Sequence, residues 1–318
     1  MDAPRRYFPL LLACASILIL FGGWHYLFAP PATFPAGGVV IITNGASAPE
    51  IAQELADMNI IAHPNFFRFL LRISGTSGQI HSGTYRFQSP ESMLAIAYRL
   101  VTGSYGIPPV RLTFIEGSTV REMALQVGVA FPHMTKADFL RAASPYEGYL
   151  FPDTYLFSPS ADAASIVTAM RDNFTAKLAS STPAIAASGH SLSDIVIMAS
   201  LIEKEARTTV SRRTVAGILW NRLELGMPLQ VDAVFGYIFN RETYSPSFKD
   251  LTVESPYNTY THTGLPPGPI NNPGLDAFDA TINPTKTNYL YYLTGKDNLM
   301  HYATTYAGHL ANQRKYLK

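Results

Sequence analysis

The amino-acid sequence predicts an α+β protein in three parts: one apolar segment long enough to span a membrane, a small α+β module, and a larger mixed α/β domain. Three observations carry that reading. From Tyr7 to Phe28 the chain has no charged residue apart from His25, a run of 22 residues. A strand–turn–capped-helix unit occurs twice with an offset of 72 residues. Beyond the second unit, helical patterns alternate with short strands and end in a Pro/Gly/Asn-rich region over 243–274. At 318 residues and 47% hydrophobic content the chain can bury about two cores and is not disordered.

The apolar run is read first. A hydrocarbon core needs about 20 residues of helix, so residues 7–28 read as an uncleaved transmembrane helix. A secretory signal would have a shorter apolar core and a small-residue cleavage site, whereas here Gly22 and Gly23 lead into bulky Trp24. The LLAC stretch at 11–14 resembles a lipidation box, but the run continues well past Cys14. Arg5 and Arg6 keep residues 1–6 in the cytoplasm by the positive-inside rule, with Trp24 and Tyr26 at the outer interface. The expectation is a single-pass protein of the cell (inner) membrane whose body is periplasmic or otherwise extracytoplasmic.

Residues 29–38, with Pro30, Pro31 and Pro35, form a linker, and 39–107 a small module. In it Val39–Thr43 reads as a strand and Asn44-Gly45 as a turn. Ser47 and Glu50 make a capping box for a helix through Met58. Helices are expected over 64–73 and 89–101, the latter capped by Glu91 or Ser92, with a strand over 82–87 between them. The second unit opens the domain 108–318: a strand at 110–115, a turn at Glu116-Gly117, and a box of Thr119 with Glu122. Helices follow near 135–143, 161–180, 191–207 and 211–225, then a strand at Tyr289–Leu293 and a short terminal helix.

Composition narrows the function. Lys+Arg 24 against Asp+Glu 23 leaves +1, which excludes a nucleic-acid binder working by bulk charge. One cysteine excludes an intramolecular disulfide and a thiolate cluster. The eight histidines are scattered; only His301 and His309 lie close, and no further ligands accompany them, so no metal is expected. Phosphate-loop, dinucleotide, zinc-protease and nucleophile-elbow motifs are missing. The carboxylates say more. Residues 195–202 are apolar except Ser200, and the helix then presents Glu203, Lys204 and Glu205. A carboxyl half-desolvated at the end of a core helix has a raised pKa and suits a general acid. Spacing does not choose between the two glutamates, which point to different faces.

Several blocks resemble, in order, the MltG (YceG-like) endolytic murein transglycosylases. They are EGYLFPDTY at 147–155, ASLIEKE at 199–205, NRL at 221–223 with GMPLQ at 226–230, YNTYT at 257–261 with GLPPG at 264–268, and NPG at 272–274. His301, Tyr302, Thr305 and His309 close the pattern. The resemblance runs from the anchor to the end of the chain. It implies a LysM-like module at 39–107 and a catalytic transglycosylase domain at 108–318. It also implies cleavage of β-1,4 bonds between N-acetylmuramic acid and N-acetylglucosamine in nascent peptidoglycan strands, leaving a 1,6-anhydro end and helping to terminate strand elongation. No cofactor is implied; the partners would be glycan strands and cell-wall synthases, with no nucleic acid.

On the same resemblance the single catalytic residue is the first glutamate of the EKE block, Glu203. It would protonate the leaving oxygen and then, as carboxylate, take the proton of the muramic C6 hydroxyl. Gln230, Asp232, Asn258, Tyr260 and Glu147 are the candidate substrate-binding residues, although Glu147 and Asp153 also read as structural brackets. Two departures stand out: Ala233-Val234 where Pro-Thr is frequent, and Gly308 where an acid is frequent. Two other functions compete, a non-catalytic glycan-binding scaffold and a hydrolytic muramidase with Asp232 as its second carboxylate. Ten of the 18 tyrosines fall in 237–318, which suits either a sugar-stacking groove or an aromatic core.

Overall fold

The computed structural model describes residues 16–18, 20–241 and 245–318. Of the expected membrane anchor at 7–28, residues 7–15 and Ile19 lie outside the described residues. The apolar helix α1, Ser16–Phe28, covers the rest, and among the described residues no single helix is long and apolar enough to cross a membrane. The chain forms two compact units, one from the described part of residues 1–110 with Ser158–Ser160, the other from Arg111–Phe157 with Ala161–Lys318.

In the first unit β1 (Val39–Ile42) pairs antiparallel with β2 (Gly83–Arg86), in the register Val40↔Tyr85 and Ile42↔Gly83. Alternation buries Val40 and Ile42 while leaving Val39 and Ile41 exposed, as the two-residue strand period requires. Helices α2 (Ala48–Asp57), α3 (Pro64–Ile73) and α4 (Met93–Thr102) cover that face through Leu55, Phe67, Leu71, Ile96 and Leu100. Ser47 and Glu50 form the expected capping box, and Ser92 caps α4 by accepting from the Ala95 N–H. The buried Tyr85 hydroxyl is satisfied by the His81 carbonyl at 2.8 Å.

The second unit is built around one helix. It runs β3 (Val110–Thr113), α5 (Val120–Ala130), α6 (Lys136–Ala143), β4 (Thr154–Phe157), α7 (Ala163–Leu178), α8 (Thr182–Ser188) and α9 (Leu192–Glu205). Then follow α10 (Thr209–Glu224), α11 (Ala233–Phe239), α12 (Leu275–Ile282), β5 (Tyr291–Thr294), β6 (Met300–Ala303) and α13 (Tyr306–Tyr316). Strands β3 and β4 pair, as do β5 and β6, the latter antiparallel with Tyr292↔Tyr302. All eight residues from Ile195 to Ile202 are buried, so α9 has no solvent stripe and packs on α10, α11 and α12. The N-cap of α9 is Ser191, with Asp194 as its box partner. The helix therefore starts one turn before its apolar run.

Five elements were not foreseen: β4, α8, α11, α12 and β6. Helices α11 and α12 follow Gln230-Val231-Asp232 and Asn272-Pro273-Gly274, which read as loop by composition. Both are short and held by burial, through Val234 and Phe235 in one and Ala277, Phe278 and Ala280 in the other. At short lengths tertiary packing outweighs intrinsic propensity.

Helix α10 lies against the backbone at 285–287, and Gly217 makes that approach possible. A Cβ there would sit 2.2 Å from the Thr285 carbonyl oxygen. Ordinarily an alanine replacing a mid-helix glycine stabilises by about 1 kcal/mol. Gly217→Ala should reverse that sign, destabilising by about 1–3 kcal/mol through overpacking; chemical denaturation measures it, and a gain in stability would contradict the contact.

Candidate active site

The last turn of α9 carries two glutamates whose surroundings differ. Two residues along a helix is a rotation of about 200°, so Glu203 and Glu205 leave the helix on nearly opposite sides. Both stand at a helix C-terminus, where the dipole disfavours a negative charge.

Glu203 is held in an ionic cluster. Its Oε1 accepts from Nη2 of Arg212 at 2.5 Å, and its Oε2 from the Gly274 N–H at 2.9 Å. Arg212 in turn binds Asp276 through Nη1 at 2.7 Å and the Ala206 carbonyl through Nε at 3.0 Å. The side chains of Glu203 and Arg212 are 6% and 12% exposed, so this is a buried pair with its donors in place. Burial still pushes the Glu203 carboxyl up, against the opposing pull of the Gly274 N–H and Arg212. The cluster ties α9 to the start of α10 and of α12.

Glu205 faces a cavity of ≈ 820 Å³. Its Oε2 accepts from the Tyr292 hydroxyl at 2.8 Å, and the Ala233 N–H at the start of α11 is a further donor. No lysine or arginine pairs with it among the described residues. Burial, with the neighbouring Asp232 charge adding to it, pushes the Glu205 carboxyl up to about 7. Asp232 lines the same cavity, is exposed, and accepts from the Tyr260 hydroxyl at 2.6 Å. Glu205, Asp232, Tyr260 and Tyr292 thus form one polar cluster at the cavity wall: a carboxyl that can hold a proton at neutral pH, beside an exposed one.

The structure separates the sequence-derived candidates. Asp232 lines the cavity and Tyr260 holds it, so these two come together. Asn258 does not join them. It is fully buried, its Nδ2 donates to the Leu251 and Val253 carbonyls at 3.1 and 2.8 Å, and its Oδ1 accepts from the Tyr260 N–H at 2.9 Å. With its donors and acceptor engaged it folds the loop that delivers Tyr260 and has nothing left for a sugar. Gln230 is exposed but lies outside the cavity wall. Its backbone is left-handed at φ 54° and its Oε1 is 3.4 Å from the buried Arg222 guanidinium. Glu147 sits under the start of α5, accepting from the Val120 N–H at 3.0 Å and from Asn272 Nδ2 at 2.9 Å, which is a bracing position.

Two residues at the cluster were missed. Glu205 was set aside by the resemblance, and helix periodicity could not recover it because α9 is buried on every side. Tyr292 belongs to the tyrosine-rich quarter of the chain but gave no individual signal. It is aimed at Glu205 by the β5–β6 hairpin, which Asn221 and Arg222 hold through the Thr287 and Leu290 carbonyls, each at 2.7 Å. Of the other tyrosines there, Tyr237 lines the cavity while Tyr289 stacks on Tyr302, so the group serves the core as well as the site. His301 stacks on Tyr316 and contacts Asp297 at 2.9 Å. Among the described residues no group of three or more His, Cys, Asp or Glu could hold a metal ion.

Residues 40–315 match the profile of the YceG-like family. The chain belongs to the YceG-like family. It is 29% identical over 303 residues to a Bacillus subtilis protein named endolytic murein transglycosylase, covering 87% of this chain and 84% of that one. A Streptococcus pneumoniae protein of the same name is 28% identical over 313 residues; the chain spans 57% of its length. The crystal structure of a YceG-like protein from Listeria monocytogenes superposes with a TM-score of 0.60 at 29% identity, over 86% of this chain and 98% of that one. The fold is therefore that of a family member.

Glu147 offers a test of the buried-acid geometry away from the cavity. Burial pushes its carboxyl up to about 7 from 4.5, so between those values the folded state holds a proton that the unfolded chain has released. Its contribution to stability is thus lost as pH rises through that window and is constant above it. Glu147→Gln should lessen the fall in unfolding free energy between pH 4.5 and pH 7 by on the order of 3 kcal/mol. Denaturant titrations at several pH values read this directly, and an unchanged pH dependence would refute it.

Proposed function

We propose that this chain is a peptidoglycan lytic transglycosylase that cuts β-1,4 bonds between N-acetylmuramic acid and N-acetylglucosamine inside glycan strands, with Glu205 as its acid and base. The observation that carries the residue assignment is the unequal environment of the two glutamates. Glu203 is saturated by Arg212 and Gly274, whereas Glu205 is desolvated, open to the cavity and in no ion pair among the described residues. A general acid needs a pKa near the working pH, and only Glu205 combines that with access. Glu203, which the resemblance favoured, is a positioning residue in this reading.

The steps balance around one carboxyl. Protonated Glu205 gives its proton to the glycosidic oxygen as the C1–O bond breaks. The carboxylate then takes the proton of the muramic C6 hydroxyl, whose oxygen bonds to C1, and Glu205 ends protonated again. Positive charge developing at C1 is met by the exposed Asp232 carboxylate and by the substrate's own acetamido oxygen. Tyr292 keeps Glu205 in place throughout by donating to Oε2. Water has no part, so the new end is an internal 1,6-anhydro sugar. Asp232 in the same cavity also fits a hydrolytic muramidase, and the mass of the product ends separates the two.

Around this chemistry we read residues 39–107 as a LysM-like module, a reading supported by the β–α–α–β order of its antiparallel pair. We read 7–28 as a single membrane anchor that leaves the body outside the cytoplasm, near the cell-wall synthases whose strands it would terminate.

Purified strands digested by the protein should give fragments lighter by one water than ordinary reducing ends. Glu205→Gln should lower the rate by a factor of about 10²–10⁴ with its melting temperature held or raised. Glu203→Gln should instead lower the melting temperature, because it takes from Arg212 the more deeply buried of its two carboxylate partners and leaves it Asp276 alone. Cleavage surviving in Glu205→Gln would remove the assignment. Across pH, the rate should fall as pH rises through about 7, where Glu205 loses the proton it must donate; a rate that is flat there would mean another group supplies the proton.

A further inference from the structure

We infer that the cavity holding Glu205 also carries a cationic wall for the anionic part of the substrate, namely the carboxylates of the peptide stems on the muramic acid residues. This rests on the lytic reading above and adds a specificity determinant to it. Arg121, Lys136, Lys204, Arg207 and Arg241 all line the cavity. The acids among them are Glu122, Glu205 and Asp232. Glu122 is committed to the capping box of α5, bonding the Thr119 N–H at 2.7 Å. Arg121, Lys136, Lys204 and Arg207 are exposed and take part in no ion pair among the described residues. In a chain with only 15% charged residues and a net charge of +1, five cations around one cavity is a concentration that composition does not explain.

Two of these positions do not serve the fold either. Arg121 and Lys136 stand in the first turns of α5 and α6. Each is a cation at the positive end of a helix dipole, where folding alone would favour an acid. Among the described residues Arg121 makes a 3.3 Å bond to the Tyr237 carbonyl and a contact with its ring. The cationic side chains and the first turns of α5 and α6 therefore add to one positive potential, focused by a concave surface. A neutral sugar backbone gains nothing from it, but peptide stems present carboxylates at intervals along the strand. A strand still joined to its lipid carrier would present a diphosphate, which is also multiply anionic. The cations stand on several separate segments, which suits spaced carboxylates better than one compact group gripped by convergent donors.

The test measures binding by the full-length Glu205→Gln protein, so that affinity is read without cleavage. Three ligands are compared: stem-bearing strands, the same strands stripped of stems by an amidase with the freed lactyl carboxylates capped as methylamides, and such capped strands ending in a lipid diphosphate. Stem-bearing strands should bind about tenfold or more tightly than stripped ones at low salt, the difference closing near 0.3 M salt. Adding Arg121→Gln, Lys136→Gln and Arg207→Gln should abolish the preference. Equal affinity for stem-bearing and stripped strands would overturn the inference, as would a preference confined to the diphosphate-ended strands. Wild-type cleavage is scored separately. Stem preference without cleavage would sink the lytic reading but leave the cationic wall, and cleavage without stem preference would do the reverse.

Discussion

A carboxylate taken out of water must be met by donors, and the way Glu203 is met sets the geometry of the catalytic unit. One guanidinium, Arg212, spans Glu203, Asp276 and the Ala206 carbonyl, while the amide that opens α12 fills the second oxygen of Glu203. Three helices are thereby bound at one point, in the last turn of a helix that is otherwise apolar on every side. Such pairs contribute little net stability, since desolvation offsets most of the attraction. What they supply is position. Apolar packing alone would let α9 rotate or slide by a fraction of a turn at small cost; the ionic cluster does not.

With that turn held, the opposite side of the helix is free to do chemistry. Glu205 needs a low-dielectric setting, a donor that keeps it in place without supplying a full charge, and access to substrate. A cation in place of Tyr292 would satisfy the carboxylate and favour its charged form, the direction in which Arg212 pulls Glu203 against its burial. Two glutamates of the same helix turn are thus sent to different ends by their partners. Asp232 remains exposed, and its charge helps to keep the proton on Glu205. The division is a matter of environment, as in enzymes whose two carboxyls must differ in protonation.

The sequence was legible where local rules decide. The capping boxes at Ser47/Glu50 and Thr119/Glu122 form as read, and α3 has the predicted bounds. Such features depend on residues three or four apart and little else. Helices α11 and α12 were hidden because they form under tertiary burial, after turn-like residues. The site was half legible. Asp232 and Tyr260 could be nominated, but the choice between Glu203 and Glu205 could not be made from periodicity, since a helix buried on all faces has no inward stripe. In the reading proposed above it turns on residues far along the chain: Arg212 and Gly274 on one side, Tyr292 on the other. No spacing rule on α9 contains them.

The same distance in sequence explains why motif residues make poor guides to contact with substrate. In the YNTYT block Asn258 spends its polar atoms on loop carbonyls so that Tyr260 can reach Asp232. The NRL block holds the backbone from which Tyr292 projects. In EGYLFPDTY, Glu147 meets Asn272 beneath α5, and two residues later Gly274 gives its amide to Glu203. Each block braces another block, and the bracing ends on three carboxyls, Glu203, Glu205 and Asp232. A substitution in such a brace leaves every substrate-touching atom in place, yet it releases the turn or hairpin that aims one of them. Loss of activity in a brace variant therefore does not identify a contact. The discriminating signature is a fall in melting temperature alongside the fall in rate, and a group at the reacting atoms gives the second without the first.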